Sequence, residues 1–199
     1  MLNKMNRVNG YILAGGKSSR MGMDKGLIVL HEKTIVQHVM EQVNPAVDKL
    51  VIVSNNADYK KFGPEVIEDV IKNIGPAGGI HAALNHTDTN HNFIVSCDMP
   101  FITASSIEFV IHHSFQSQIT VPVFHKKMEP MFGIYSKECL TKWHELIQNG
   151  IIKLRDLLSH FSKRELNVDD NPLFNDSLFI NINTQDDLKN AIKKLENEN

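Results

Sequence analysis

Residues 13–25 read LAGGKSSRMGMDK, a run of small residues, hydroxyls and cations of the kind that grips a polyphosphate. Gly16-Lys17-Ser18 matches the close of a Walker loop, GxxxxGK[ST], but Tyr11 stands where that motif requires its first glycine. Tyr11 is embedded in the strand-like Tyr11-Ile12-Leu13 and cannot supply the tight turn, so the segment is a poor Walker loop. What remains is still suited to phosphate. Ala14, Gly15 and Gly16 let the backbone approach closely, its N–H groups can form an anion-binding nest, and Lys17, Arg20 and Lys25 can neutralise charge. The plain alternative is a glycine-rich turn with solvated cations.

Three further segments carry polar residues where an apolar run stops. Val66-Ile67-Glu68-Asp69 ends in acids and leads to Gly75-Pro76-Ala77-Gly78-Gly79, a rigid turn whose glycines, Gly78 among them, expose donors to a base or ribose edge ahead of a helix expected over Ile80–Leu84. Phe93–Pro100, FIVSCDMP, closes a buried run on Asp98, a carboxylate costly to bury unless a cation such as phosphate-bound Mg²⁺ meets it. A turn carboxylate bonded to nearby N–H groups is the alternative. Leu178–Thr184, LFININT, reads as a strand with Asn181 and Asn183 on one face, two amides able to read a polar ligand, unless Asn183 or Thr184 merely caps the next helix.

Placing these residues requires a strand before each. Strands are expected at Val8–Leu13, Leu50–Ser54, Glu65–Glu68, Phe93–Cys97, Ile119–Phe124, Met131–Tyr135 and Leu178–Ile182, mostly as continuous apolar runs buried on both faces. Helical periods fall between them at Thr34–Val43, at Thr103–Phe115 with Thr103 as N-cap, and at Lys137–Gln148, Ile152–Phe161 and Gln185–Leu195. Strand, helix, strand implies right-handed crossovers and a largely parallel sheet, whose ligands bind at the carboxyl ends of the strands.

Composition excludes several other roles. A net charge of −2 across 199 residues gives no drive toward nucleic acid or a membrane surface, and no long apolar segment or cleavage signal is seen, so a cytoplasmic protein is expected. Cys97 and Cys139 are far apart with no CxxC pattern, and His81, His86, His91, His112 and His113 lack the i, i+4 spacing that pairs two imidazoles as metal ligands.

The order LAGGxSxRMGxDK, an acid after the third strand, GPxxG, CDMP and NxNT before the last helix resembles the molybdenum cofactor guanylyltransferases, within the Rossmann-like nucleotidyltransferases. The resemblance runs from about Val8 to the C-terminal helix. It implies a three-layer α/β fold with a central, mostly parallel sheet flanked by helices. It also implies a single domain over residues 1–199, with about 8–100 binding nucleotide and about 101–199 contributing the molybdopterin side. The implied reaction transfers GMP from GTP to the phosphate of Mo-molybdopterin, with Mg²⁺ as cofactor and transient contacts with cofactor-biosynthesis or acceptor proteins.

Residue by residue, the resemblance implies backbone contacts to GTP from Leu13, Ala14 and Gly15, with Gly16 in the same turn, and Lys25 on the phosphates. Asp69 lies by the nucleotide, Asp98 ligates Mg²⁺, Arg20 eases departure of pyrophosphate, and Asn181 with Asn183 places the molybdopterin. Two positions depart from the family pattern. Gly75-Pro76-Ala77-Gly78-Gly79 replaces Gly-Pro-Leu-Ala-Gly, and Glu129-Pro130 stands where related enzymes often have His-Pro. A nucleotidyltransferase using CTP or a sugar phosphate, and a nucleotide-binding regulator without transfer activity, are the competing readings.

Overall fold

The run Val8–Leu13 forms strand β1, buried at all six positions because the sheet is covered on both faces, and its one polar side chain, Asn9, donates to Thr87 Oγ1 and Asp88 Oδ1. In the computed structural model, which describes residues 7–15, 24–114 and 116–198, β1 lies near the centre of an eight-stranded sheet. It pairs in parallel with β4 (Lys49–Val53) on one side and β6 (His91–Ser96) on the other, and β5 (Glu65–Ile67) extends the sheet beyond β4. On the other side of β6 comes β9 (Phe132–Ser136), then β7 (Ile119–Phe124) and finally β10 (Lys163–Asn167). Strand β9 runs antiparallel to both neighbours, β10 is parallel to β7, and the short β8 (Lys127–Met128) turns back on β7.

Helices cover both faces. Val36 and Val39 of α1 (Ile35–Val43) and Ile107 and Val110 of α3 (Ala104–His112) pack on Ile12, Ile52, Phe93 and Ile134. The opposite face receives Ile80 and Leu84 of α2 (Pro76–His86), Trp143 and Ile147 of α4 (Leu140–Gln148) and Leu157 of α5 (Leu154–Leu158). Because strand side chains alternate, Ile12 serves the first layer and Tyr11 the second. The expected three-layer α/β architecture is therefore present. Trp143 is fully buried and its indole N–H donates to the Ala77 carbonyl at 3.1 Å, tying α4 to α2. Among the described residues no helix is long and apolar enough to cross a membrane.

A smaller core lies to one side. The hairpin of β2 (Val29–Leu30) and β3 (Lys33–Thr34) presents Leu30, beside Ile28 and Ile35, to Ile182 and to Ala191, Leu188 and Ile192 of α6 (Gln185–Glu198). The last helix thus packs on the segment that follows the glycine-rich loop.

Two expectations need correction. Leu178–Ile182 is not a strand but a turn at Leu178 and Phe179 followed by irregular chain, so Asn181 and Asn183 do not share a strand face. The Asn175 side chain accepts from the backbone N–H groups of Ser177 and Leu178, which bends the chain, and Phe179 anchors it against Phe124, Phe132 and Phe174. The apolar residues there fill the core without joining a ladder. Helix α2 starts at Pro76, with Gly75 as its N-cap at φ 63°, so Gly78 and Gly79 are helical residues and not a turn ahead of Ile80.

Thr103 caps α3 as expected, its hydroxyl accepting from the Ser106 N–H at 3.2 Å. Expectations that touch Phe115 fall outside the described residues. One strand contact invites a stability test. A Cβ on Gly133 of β9 would lie 2.7 Å from the Thr120 carbonyl oxygen and 2.8 Å from Val121 Cγ1 of β7. Gly133→Ala is expected to destabilise the chain by about 1–3 kcal/mol, the usual cost of overpacking, read as a lower denaturant midpoint with an unchanged slope.

Candidate active site

The carboxyl ends of β1, β4 and β6 meet at one edge, where ligands bind in open α/β sheets. The ladder carries on past the strands. Ala14 N–H donates to the Val53 carbonyl at 2.9 Å, and Cys97 N–H donates to the Leu13 carbonyl at 3.0 Å. Gly15 then leaves the sheet at φ 103°, a turn that a side chain would strain. Gly16 and Arg20 lie outside the described residues, which resume at Asp24.

Asp24 caps the 3₁₀ turn Lys25–Leu27, its carboxylate accepting from the Gly26 N–H at 3.2 Å. That turn sets the direction of Lys25. The Lys25 ammonium lies 3.4 Å from Asp98 Oδ2 and also donates to Asn183 Oδ1. Asp98 follows β6, and its other oxygen accepts from Ser96 Oγ at 2.6 Å while its backbone carbonyl accepts from the Ile182 N–H. Residues from both ends of the chain therefore converge on one cation and one carboxylate. Their side chains are 23% and 14% exposed, enough burial for the charge to act across little water.

Beside this pair is a cavity of about 790 Å³, walled by Leu13, Ala14, Gly15 and Asp69 among others, and of a size that suits a nucleotide. Burial pushes the Asp69 carboxyl up from its ordinary value, opposed by the Asn55 amide, which donates to it at 2.9 Å, and by Lys72. An acid so placed can accept hydrogen bonds from a bound base. Cys97 sits beneath the floor, where burial, with Asp98 and Asp24 nearby, pushes its thiol up to about 12. It is not a nucleophile at neutral pH.

The remaining expected residues are placed as follows. Gly78 faces the Ile71–Ile74 segment, where a Cβ would lie 2.6 Å from the Ile71 carbonyl oxygen, while its neighbour Gly79 lies on the cavity wall against Leu13. Asn181 turns its amide to the Phe179 carbonyl. Asn183 contacts Lys25, and Thr184 caps α6 by accepting from the Asp187 N–H. Glu129 is buried beside Lys127, its carboxylate 2.8 Å from the Lys127 ammonium.

Sequence reasoning passed over Asp24, Asn55, Asn56, Asn73 and Ser96, all on the wall. Asn55 and Asn56 come immediately after β4, so the rule that strand ends bind ligands points to them directly. Asp24 was in view within the opening motif, next to the lysine.

Known proteins resemble this chain over most of its length. The family model of the MobA-like NTP transferase domain matches residues 10–166. The molybdenum cofactor guanylyltransferase of Vibrio parahaemolyticus is 37% identical over 182 residues, covering 89% of this chain and 91% of that protein. The crystal structure of molybdopterin-guanine dinucleotide biosynthesis protein A from Archaeoglobus fulgidus superposes with a TM-score of 0.82 at 27% identity, covering 95% of this chain and 99% of that one. A shared sheet order alone would show only a fold, but a family model over most of the chain and near-complete alignment to these relatives show more: the chain is a nucleotidyltransferase and belongs to the MobA-like family of molybdenum cofactor guanylyltransferases.

Proposed function

We propose that this chain transfers GMP from GTP to the phosphate of molybdopterin carrying molybdenum, releasing pyrophosphate. The observation that carries the reading is the meeting of Lys25 and Asp98 at 3.4 Å beside a nucleotide-sized cavity. The cavity walls from β1 to α2 take the nucleoside. Asn183, supplied from the far end of the chain, faces the acceptor side.

The nucleophile is an oxygen of the acceptor phosphate, which forms a bond to the α-phosphorus as the bond to the pyrophosphate oxygen breaks and its electron pair leaves with pyrophosphate. No protein nucleophile or strong base is needed, so positioning and neutralisation of charge supply the acceleration. Lys25 holds the phosphates through its ammonium, and Arg20 draws charge from the leaving group. Leu13, Ala14, Gly15 and Gly16 offer backbone groups to the nucleotide, and Asp69 accepts from the base.

The donor set suits Mg²⁺. A hard, octahedral cation takes one or two carboxylates and completes its shell with phosphate oxygens and water. Asp98 is such a carboxylate, with Oδ1 oriented by Ser96 and, among the described residues, Oδ2 engaged only by the long contact to Lys25. When bound there, Mg²⁺ neutralises charge building on the α-phosphate.

A thermal-shift series with GTP, ATP and CTP, each with Mg²⁺, tests the base preference, because a ligand bound only by the native state raises its stability by mass action. At about 100 times its dissociation constant GTP is expected to add about 2.7 kcal/mol, seen as the largest rise in melting temperature of the three. A larger rise with CTP would remove the guanylyl reading.

A further inference from the structure

We infer that Tyr59, which lies behind the cavity wall, is a positioning residue for the nucleotide: it holds the Asp24–Lys25 turn and acts on GTP through Lys25. The inference rests on the reading above that Lys25 binds the phosphates of GTP.

Tyr59 belongs to the 3₁₀ segment Ala57–Phe62 that follows β4, far in sequence from the turn it meets. Its side chain is fully buried, and a buried phenol needs a partner for its O–H. That partner is a carboxylate on the cavity wall: the Tyr59 hydroxyl donates to Asp24 Oδ1 at 2.5 Å. The ring also lies directly under Gly26. A Cβ at Gly26 would collide with the Tyr59 hydroxyl and stand 3.2 Å from Cε1 and Cζ. Ring and hydroxyl together form a pedestal for the three residues Asp24, Lys25 and Gly26.

The turn needs such support. Among the described residues it is closed by two backbone bonds, Leu27 N–H to the Asp24 carbonyl and Ile28 N–H to the Lys25 carbonyl, each 3.1 Å. A single turn has no cooperative stability of its own, so its orientation is dictated by what it rests on. The lysine that leaves the turn must reach both Asp98 and Asn183, and a small tilt is magnified along its four-carbon stem.

Tyr59 has a second effect, through charge. Asp24 places an anion on the wall of a cavity that receives a triphosphate. Among the described residues its carboxylate is engaged by three donors, the Tyr59 hydroxyl and the Gly26 N–H on Oδ1 and the Asn56 amide, at 3.3 Å, on Oδ2. The phenol, fully buried, holds Oδ1 by the shortest of these bonds. Without it, Asp24 is free to compete for the neighbouring ammonium.

The test is equilibrium GTP binding with Mg²⁺ by the full chain, its Y59F, K25A and Y59F/K25A variants, with a thermal melt of each. Y59F keeps the ring and removes one bond to a charged group, so GTP is expected to bind about tenfold more weakly with the cooperative melt retained. In the K25A background the same change is expected to alter binding by less than about twofold, since coupled residues are not additive. A purely structural role would give the same loss in both backgrounds and overturn the inference, as would wild-type affinity in Y59F. G26A, which pushes the hydroxyl off Asp24 from the other side, should reproduce the loss and carries the test if Y59F does not fold; wild-type affinity there also overturns it. A wild-type chain that binds no GTP sinks the guanylyl reading itself, an outcome distinct from a wild-type chain that binds while Y59F is unchanged.

Discussion

An Asp98→Asn chain is expected to fold normally and to transfer GMP about 100- to 1000-fold more slowly than the parent, the usual loss when one preorganised electrostatic contact to the transition state is removed. Asparagine preserves the shape and can still accept from Ser96 Oγ, and the backbone carbonyl of residue 98 still receives the Ile182 N–H. What it loses is the negative charge and one of the two carboxylate oxygens, and with them the group proposed above to hold Mg²⁺. Lys25 retains Asn183, so the turn it sits on need not move. Turnover measured at saturating GTP and Mg²⁺, with a far-UV spectrum and melt as controls, decides the matter: near-parental turnover would remove Asp98 from the chemistry.

Lys25→Ala is the second large effect, but of a different kind. In the proposed reading Asp98 acts through a metal ion, whereas the Lys25 ammonium meets the phosphates of GTP directly. Loss of a charge-assisted, partly buried contact should cost about 2–3 kcal/mol, divided between GTP affinity and kcat/KM. The variant also leaves Asp98 without its only cationic contact among the described residues, so a divalent cation should bind there more tightly. An unchanged GTP affinity would mean that the ammonium serves only to hold Asp98 and Asn183 together.

Much of this was legible from residue order. Val8–Leu13 and Ile119–Phe124 are mostly apolar runs, broken by Asn9 and Thr120, and form strands with those bounds, because burial on both faces leaves a clear mark. Lys163–Asn167, KRELN, is a strand too, yet its composition hides it. It is an edge strand paired only with β7, so charged side chains cost nothing there and only Leu166 needs to be apolar. Leu178–Ile182 misleads in the opposite sense, since Phe179 and its neighbours are apolar in order to pin a loop.

The same contrast holds at the site. Asp98 is visible because it ends an apolar run, and Lys25 because it completes a motif whose order can be compared. Tyr59 is invisible, since nothing in ADYKKF states that its hydroxyl reaches a residue 35 positions earlier. Asn55 lies between these cases: its place after β4 could be read, but its bond to Asp69 could not.

The packing of α6 on the β2–β3 hairpin has a consequence for biosynthesis. Leu30 and its neighbours leave the ribosome early, but Ile182, Leu188 and Ala191, which cover them, are translated after all of the sheet's strands. Throughout that interval the hairpin shows a bare apolar face, the kind of surface that recruits chaperones or other nascent chains. Asn183 arrives on the same late segment, so among the described residues the ammonium of Lys25 lacks one of its two partners until that segment has been made and has docked.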